Sequence, residues 1–207
     1  MTRWLLVASL LLTACGGGGG GDGGSPGSGI DPRLARIDIY ESQRIRVVGD
    51  PGAGVVGMSP TPVVDMPTTG EVTFAGSFTL RVETTPAASV IAGDARLNVD
   101  FGAATGSGVL DNAFGTGTDG VLRDYDGQIL LRDGVVGADG PNTWQIDYAG
   151  ALTSTQQTIA VDGQIAGDVL GPDANALAGI DLEAAIATNA GQRTGLLAII
   201  AEATGDD

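Results

Sequence analysis

The one cysteine of this chain, Cys15, stands directly after Leu12-Thr13-Ala14, and ahead of these lie Arg3 and a nine-residue apolar segment from Trp4 to Leu12. A positive start, a short apolar stretch and small residues before a cut are the parts of a bacterial secretion signal. With the cysteine at the cleavage point, the chemistry expected is acylation of its sulfur. Residues 1–14 are the signal peptide of a lipoprotein, and Cys15 becomes its lipid-modified N-terminus. Acyl chains contribute about 0.8 kcal/mol per buried CH₂, so several chains hold a protein firmly to a membrane. Gly16 follows, where an aspartate would signal inner-membrane retention. The expected location is therefore the outer membrane, lipid-anchored, facing either the cell surface or the periplasm. The apolar segment falls short of the ~20 residues needed to span a bilayer as a helix, and no later stretch comes close.

Other reactive chemistry is scarce. The chain has 25 acidic residues against ten arginines, with no lysine and no histidine. Without histidine there is no Ser-His or Cys-His nucleophile pair and no imidazole metal ligand. Without lysine there is no Schiff base and no phosphate-loop lysine. We therefore expect no enzyme, no catalytic residue and no cofactor. A net charge of −15 also repels nucleic acid, which is not an expected partner. Two acidic loops invite a calcium reading. Gly115-Thr116-Gly117-Thr118-Asp119-Gly120-Val121 resembles one repeat of a calcium-binding β-roll, but such repeats work in stacked arrays. Asp124-Tyr125-Asp126-Gly127 opens like an EF-hand loop yet reaches Val135 where the closing glutamate belongs. Ordinary Asp-Gly turns account for both, so no metal ligand is assigned. Among the aromatics, Tyr40, Tyr125 and Trp144 lie near strand ends or turns. Core packing or a girdle around a barrel suits Trp144 equally well. Tyr125, between two aspartates, is the candidate for surface recognition.

These residues need elements to hold them. Residues 15–29, the lipidated Cys15 followed by GGGGGGDGGSPGSG, offer no apolar group that would offset backbone ordering, so a flexible tether is expected. Its fourteen Gly-rich residues span roughly 20 Å. Residues 30–65 form an N-terminal arm and a Pro/Gly loop. Ile37, Ile39, Ile45 and Val47 share one parity, interrupted by Glu41 and Gln43, which suggests a peripheral or edge strand. From Glu71 onward period two dominates. Val72, Phe74, Phe78, Leu80 and Val82 share a face; so do Leu97, Val99 and Phe101; Trp144, Ile146 and Tyr148; and Ile159, Val161, Ile165 and Val169. Leu177, Ile180, Leu182 and Ile186 form a shorter case. Leu196 to Ala201 is continuous, strand or helix by pattern alone, and its flanking glycines favour strand. Turn residues separate the runs. About eight strands fit, and closing the sheet removes its exposed edges. The fold class expected is all-β: an eight-stranded antiparallel up-and-down barrel over 66–207, with Leu, Ile and Val inside. Its outer face, rich in Thr, Asp and Arg, should meet water and not lipid.

Several segments resemble one group of Gram-negative surface lipoproteins, which includes transferrin-binding protein B and factor H-binding protein. They are Met66-Pro67-Thr68-Thr69-Gly70 with Val72-Thr73-Phe74-Ala75-Gly76, Asn98-Val99-Asp100-Phe101 with Gly106-Ser107-Gly108, Asp162-Gly163-Gln164-Ile165-Ala166-Gly167 with Gly171-Pro172 and Ala178-Gly179, and Thr194 to Ala203. The resemblance covers residues 66–204. It implies a lipid-anchored eight-stranded barrel that binds proteins or ligands through its loops and carries no catalytic residue. The loops here are short and a separate handle domain is missing or reduced to residues 30–65, so binding of transferrin or a complement regulator does not transfer. Gly76, Gly163, Gly167 and Gly179, within strands, are expected to let strands bend and large side chains lie across the backbone. The leading functional expectation is a binding module at the cell surface, with an unknown protein or small ligand as partner, the membrane reached through the lipid anchor, and an outer-membrane transporter as a possible neighbour. The alternatives are a lipocalin-like carrier of a small ligand and a structural envelope lipoprotein.

Overall fold

A computed structural model describes residues 31–85 and 87–205. The signal peptide, Cys15 and the glycine tether lie outside the described residues. The chain divides into two compact units, Met1–Gly57 and Met58–Asp207.

In the first unit the expected extended arm is instead a helix, α1, Pro32–Val47. The cause lies in its ends and its side-chain pairs. Asp31 caps it by accepting from the Arg33 amide, and Pro32 fills the first helical position, where a missing N–H costs nothing. Arg36 donates to the Tyr40 hydroxyl four residues on (2.7 Å), and Arg44 pairs with Glu41 three residues back (2.6 Å). The shared parity of Ile37 and Ile39 is incidental, and both side chains are exposed. After the helix, Gly49–Asp50 pairs antiparallel with Val55–Val56. The positive φ at Gly54 closes this hairpin.

In the second unit eight long strands form the barrel: β1 Glu71–Val82, β2 Ser89–Asp100, β3 Thr105–Thr116, β4 Asp126–Val136, β5 Thr143–Thr153, β6 Thr158–Leu170, β7 Ala176–Thr188 and β8 Gly191–Ala203. Each pairs antiparallel with its neighbours in sequence, and β8 returns to β1 with Ile199 opposite Phe78, so the sheet closes. A short segment, Leu122–Asp124, pairs with the end of β3. The loops alternate between two ends. The base carries the start of β1 and the finish of β8, with loops 101–104, 137–142 and 171–175. The rim carries 83–88, 117–125, 154–157 and 189–190.

The inward residues of β1, β2, β5 and β6 are those marked by period two, but on β7 only Leu177 and Ile186 of the four marked residues are buried, with Ile180 half-buried and Leu182 turned outward. Phe74, Phe78, Leu80, Leu97, Trp144, Ile146, Tyr148, Ile159, Val161, Ile165, Leu197 and Ile199 belong to one buried cluster. The outer wall carries exposed charge at mid-strand, including Asp147 and Asp162, where a lipid-facing barrel would present an apolar band. Among the described residues no helix is long and apolar enough to cross a membrane.

Glycines give the large inner rings their space. A side chain on Gly163 would meet the Tyr148 hydroxyl at 2.6 Å, and one on Gly179 would meet the Trp144 ring at 2.6 Å. Both rings lie flat across a neighbouring strand, as expected for these two positions. At the base, Ser59–Thr61 extends the ladder beyond β5. Thr61 N–H donates to the Val169 carbonyl (2.9 Å) and Gly171 N–H to that of Ser59 (2.8 Å). The Thr61 hydroxyl, fully buried, donates to the Gly171 carbonyl (2.7 Å), and Asn142 Nδ2 donates to the Thr61 carbonyl (3.1 Å). This strap pins the chain where it enters the barrel and covers the backbone edge that β6 would otherwise leave bare.

Candidate functional site

The rim loops hold Tyr125 and the two acidic segments considered above. Tyr125 is not a surface aromatic: it is 3% exposed and packs into the barrel cluster. Its amide donates to the Ala113 carbonyl (2.8 Å), which fixes the backbone beside β3 and turns the ring inward. Its hydroxyl accepts from Gln157 Nε2 (2.8 Å), so the ring ties the 117–125 loop to the 154–157 loop. Trp144 is likewise in the core, with its Nε1–H donating to the Asp168 carbonyl (3.2 Å). The exposed apolar side chain at the rim is Val121, 53% exposed.

The β-roll-like loop uses its aspartate internally. Asp119 accepts from both terminal nitrogens of Arg123 (2.8 Å each), from Gln156 Nε2 (2.7 Å) and from the Val121 amide (3.1 Å). The Arg123 guanidinium, followed by the Val121 amide, holds the Asp119 carboxyl well below the usual carboxylate range. Among the described residues no group of three or more Cys, Asp or Glu is placed to hold a metal ion. A carboxyl depressed by folding adds stability above its unfolded pKa of about 4 and loses it as pH falls through the folded value. Amide-exchange protection at Val121 should therefore stay level down to about pH 4 and fall below it. In Asp119→Asn that protection should be lower at neutral pH and flat across the acid range. A variant that kept the wild-type profile would place the order of this loop elsewhere.

The inward side chains of the described strands pack into one buried cluster. A void of about 10 Å³ between Leu97, Val99, Trp144, Ile146 and Leu177 has room for about one water molecule. That is far below the few hundred Å³ of a small-molecule site, so this region does not fit the carrier reading. One polar pair lies inside: the Tyr148 hydroxyl passes across Gly163 and donates to Asp181 Oδ2 on β7 (2.7 Å). Burial, then the Asp181 carboxylate that accepts from it, pushes the Tyr148 phenol well above its ordinary value. Sequence reasoning did not mark this pair. The period-two reading of Leu177, Ile180, Leu182 and Ile186 fails here, because the inward parity runs through Leu177, Gly179 and Asp181 and resumes at Ala184 and Ile186 after a bulge. Between Asp181 and Ala184 the ladder slips: Asp181 faces Leu197, but Ala184 faces Gly195.

No protein family matches the sequence, and no curated protein matches it. Solved structures do show likeness. Two are mutants of the vaccine antigen transferrin-binding protein B from Haemophilus parasuis Hp5. The double mutant has TM-score 0.44 and 17% identity over 72% of this chain and 28% of that one. The single mutant has TM-score 0.44 and 19% identity over 71% and 29%. A third, intact Ap-TbpB with its N and C lobes, has TM-score 0.39 and 16% identity over 70% and 29%. The chain is similar to these proteins over about 70% of its own length, and the match spans less than a third of theirs.

Proposed function

We propose that this chain is a lipoprotein anchored in the outer membrane through Cys15, and that its barrel is a non-catalytic binding module for a protein partner at the cell surface. The observation that carries the binding reading is the packed interior, lined by Phe74, Phe78, Leu80, Ile91, Leu110, Ile129 and Tyr148. A barrel whose described inward side chains pack against one another favours recognition of a partner on its outside. The anchor rests on the spacing of Arg3, the apolar segment and Leu12-Thr13-Ala14-Cys15. Such an arrangement keeps the barrel within tether reach of the membrane, where it can work beside an outer-membrane transporter.

The test is metabolic labelling with radioactive palmitate. Labelled chain is expected in the outer-membrane fraction, and Cys15→Ser should abolish both label and membrane retention. Protease added to intact cells should then remove the barrel. An unlabelled wild-type chain would overturn the anchor, and a barrel degraded only after cell lysis would overturn the surface orientation.

A further inference from the structure

The bulge on β7 places its side chains against their solubility. Leu177 and Gly179 face inward and Asp181 follows in the same parity, while Ala184 and Ile186 resume it as fully buried residues. The two residues between, Leu182 and Glu183, are therefore both turned outward, and Leu182 is 65% exposed. Asp181 holds this geometry from both sides. Its Oδ2 accepts from the Tyr148 hydroxyl inside the barrel, and its Oδ1 accepts from the Glu183 amide (2.9 Å). A half-buried aspartate on the inward parity beside an exposed leucine is the reverse of what burial favours. Bulges re-aim side chains, often beside functional sites.

The surroundings of Leu182 are specific. Half-buried Ile180 precedes it and half-buried Leu196 lies across the bulge on β8, so the leucine stands on an apolar footing. On β6 the outward residues facing the bulge are Asp162, opposite Ala185, and Gln164, and beyond them on β5 lies Asp147. Glu183, Asp162 and Asp147 are exposed, and none forms an ion pair with another described residue. Asp147 accepts from Gln164 Nε2 (2.8 Å), and Arg132, opposite it in the β4–β5 ladder, makes no ion pair with it. Elsewhere on the barrel carboxylates do take arginines: Glu83 pairs with Arg81, Asp111 with Arg96, and Asp119 with Arg123.

We propose that this bulge face docks a cationic, partly apolar segment of a partner protein. An aliphatic or aromatic side chain of the partner covers Leu182, and its arginine or lysine side chains meet Glu183 and Asp162. The inference rests on the reading of the barrel as a binding module, and it adds the place and the chemistry. A lipid surface fits poorly, because the carboxylates ring the leucine. The exposed apolar area is small, so the charges supply steering and register more than raw affinity.

Amide spectra of the full-length chain, titrated with a short peptide of alternating arginine and leucine, test this. Saturable shifts are expected at residues 180–184 and 162–164. A peptide with glutamate in place of arginine should give none. Leu182→Ser changes an exposed side chain and should melt as wild type does, yet bind the peptide about tenfold more weakly. Glu183→Gln should weaken binding and flatten its salt dependence. Shifts spread evenly over the acidic surface, or unchanged affinity in Leu182→Ser, would overturn the docking face. Either result would leave the binding-module reading standing, because a partner could still seat elsewhere on the outer wall, and palmitate labelling and protease accessibility test the anchor and orientation separately.

Discussion

Gly167→Ala and Gly179→Ala are both expected to destabilise the barrel, but only the second should be repaired by trimming Trp144. The two glycines lie opposite each other on β6 and β7, and the Trp144 ring lies against Gly179. At Gly179 the added carbon would sit 2.6 Å from Trp144 Cζ2 and 2.9 Å from its Cη2. The nearest obstacle is a side chain, with the Ala166 carbonyl oxygen behind it at 3.0 Å, and overpacking of this kind costs about 1–3 kcal/mol. At Gly167 the added carbon would overlap the Ala178 carbonyl oxygen and approach the Gly179 Cα at 2.5 Å. There the obstacle is the neighbouring strand itself, so the strands must separate, at a cost of about 3 kcal/mol or more. Chemical denaturation of the single variants and of each combined with Trp144→Leu separates the cases. Gly179→Ala in the Trp144→Leu background should cost much less, because the methyl enters space the ring has left and only the close Ala166 carbonyl oxygen remains. Gly167→Ala should cost the same in either background. Additive behaviour at Gly179 would mean that the ring does not need the bare backbone beneath it.

These pairs also show what could be read from residues alone. Alternation identified the inward sets of β1, β2, β5 and β6, because a closed barrel buries one parity and wets the other. Leu196 to Ala201 showed no alternation and was read as strand from its flanking glycines; in β8, Leu197, Ile199 and Ala201 are buried while Leu196, Ala198 and Ile200 are half-buried. Strand glycines pointed to ring-over-backbone packing, borne out at Gly163 and Gly179.

Three features escaped, each for a physical reason. In α1 the alternation of Ile37 and Ile39 outweighed the Asp31-Pro32 start signal, although capping acts on the backbone directly. Tyr125 was placed outside because aspartates flank it, yet the ladder bond from its amide to Ala113 decides which way the ring turns. The bulge at Asp181–Ala184 depends on an acceptor for a tyrosine two strands away in space and 33 residues away in sequence. No local pattern carries such a long-range pair, and the exposed Leu182 is its consequence.

That pair should make the barrel sensitive to base. Tyr148→Phe keeps the ring across Gly163 but removes the donor to Asp181, leaving the carboxylate with the Glu183 amide alone. A hydrogen bond to a charged group contributes about 1.5–3 kcal/mol, so a loss of that size is expected at neutral pH. Asp181→Asn retains an acceptor for the hydroxyl and should cost less. The pH dependence follows from the direction of the shift. The Tyr148 phenol is raised by burial first and by Asp181 second. A group whose pKa rises on folding adds stability that is complete below its unfolded value, about 10 for tyrosine, and lost as pH climbs through the folded one. Wild-type stability should therefore fall above about pH 10, with a slope approaching 1.4 kcal/mol per pH unit for one linked proton. Tyr148→Phe should start lower at neutral pH and stay flatter over the same window, so the two curves converge as pH rises. Urea unfolding between neutral pH and the onset of alkaline unfolding measures both curves. Parallel curves would assign the linked proton to another group and leave the inward turn of Asp181 to backbone geometry alone. Convergence would identify the Tyr148 hydroxyl as the group whose buried bond holds Leu182 outside.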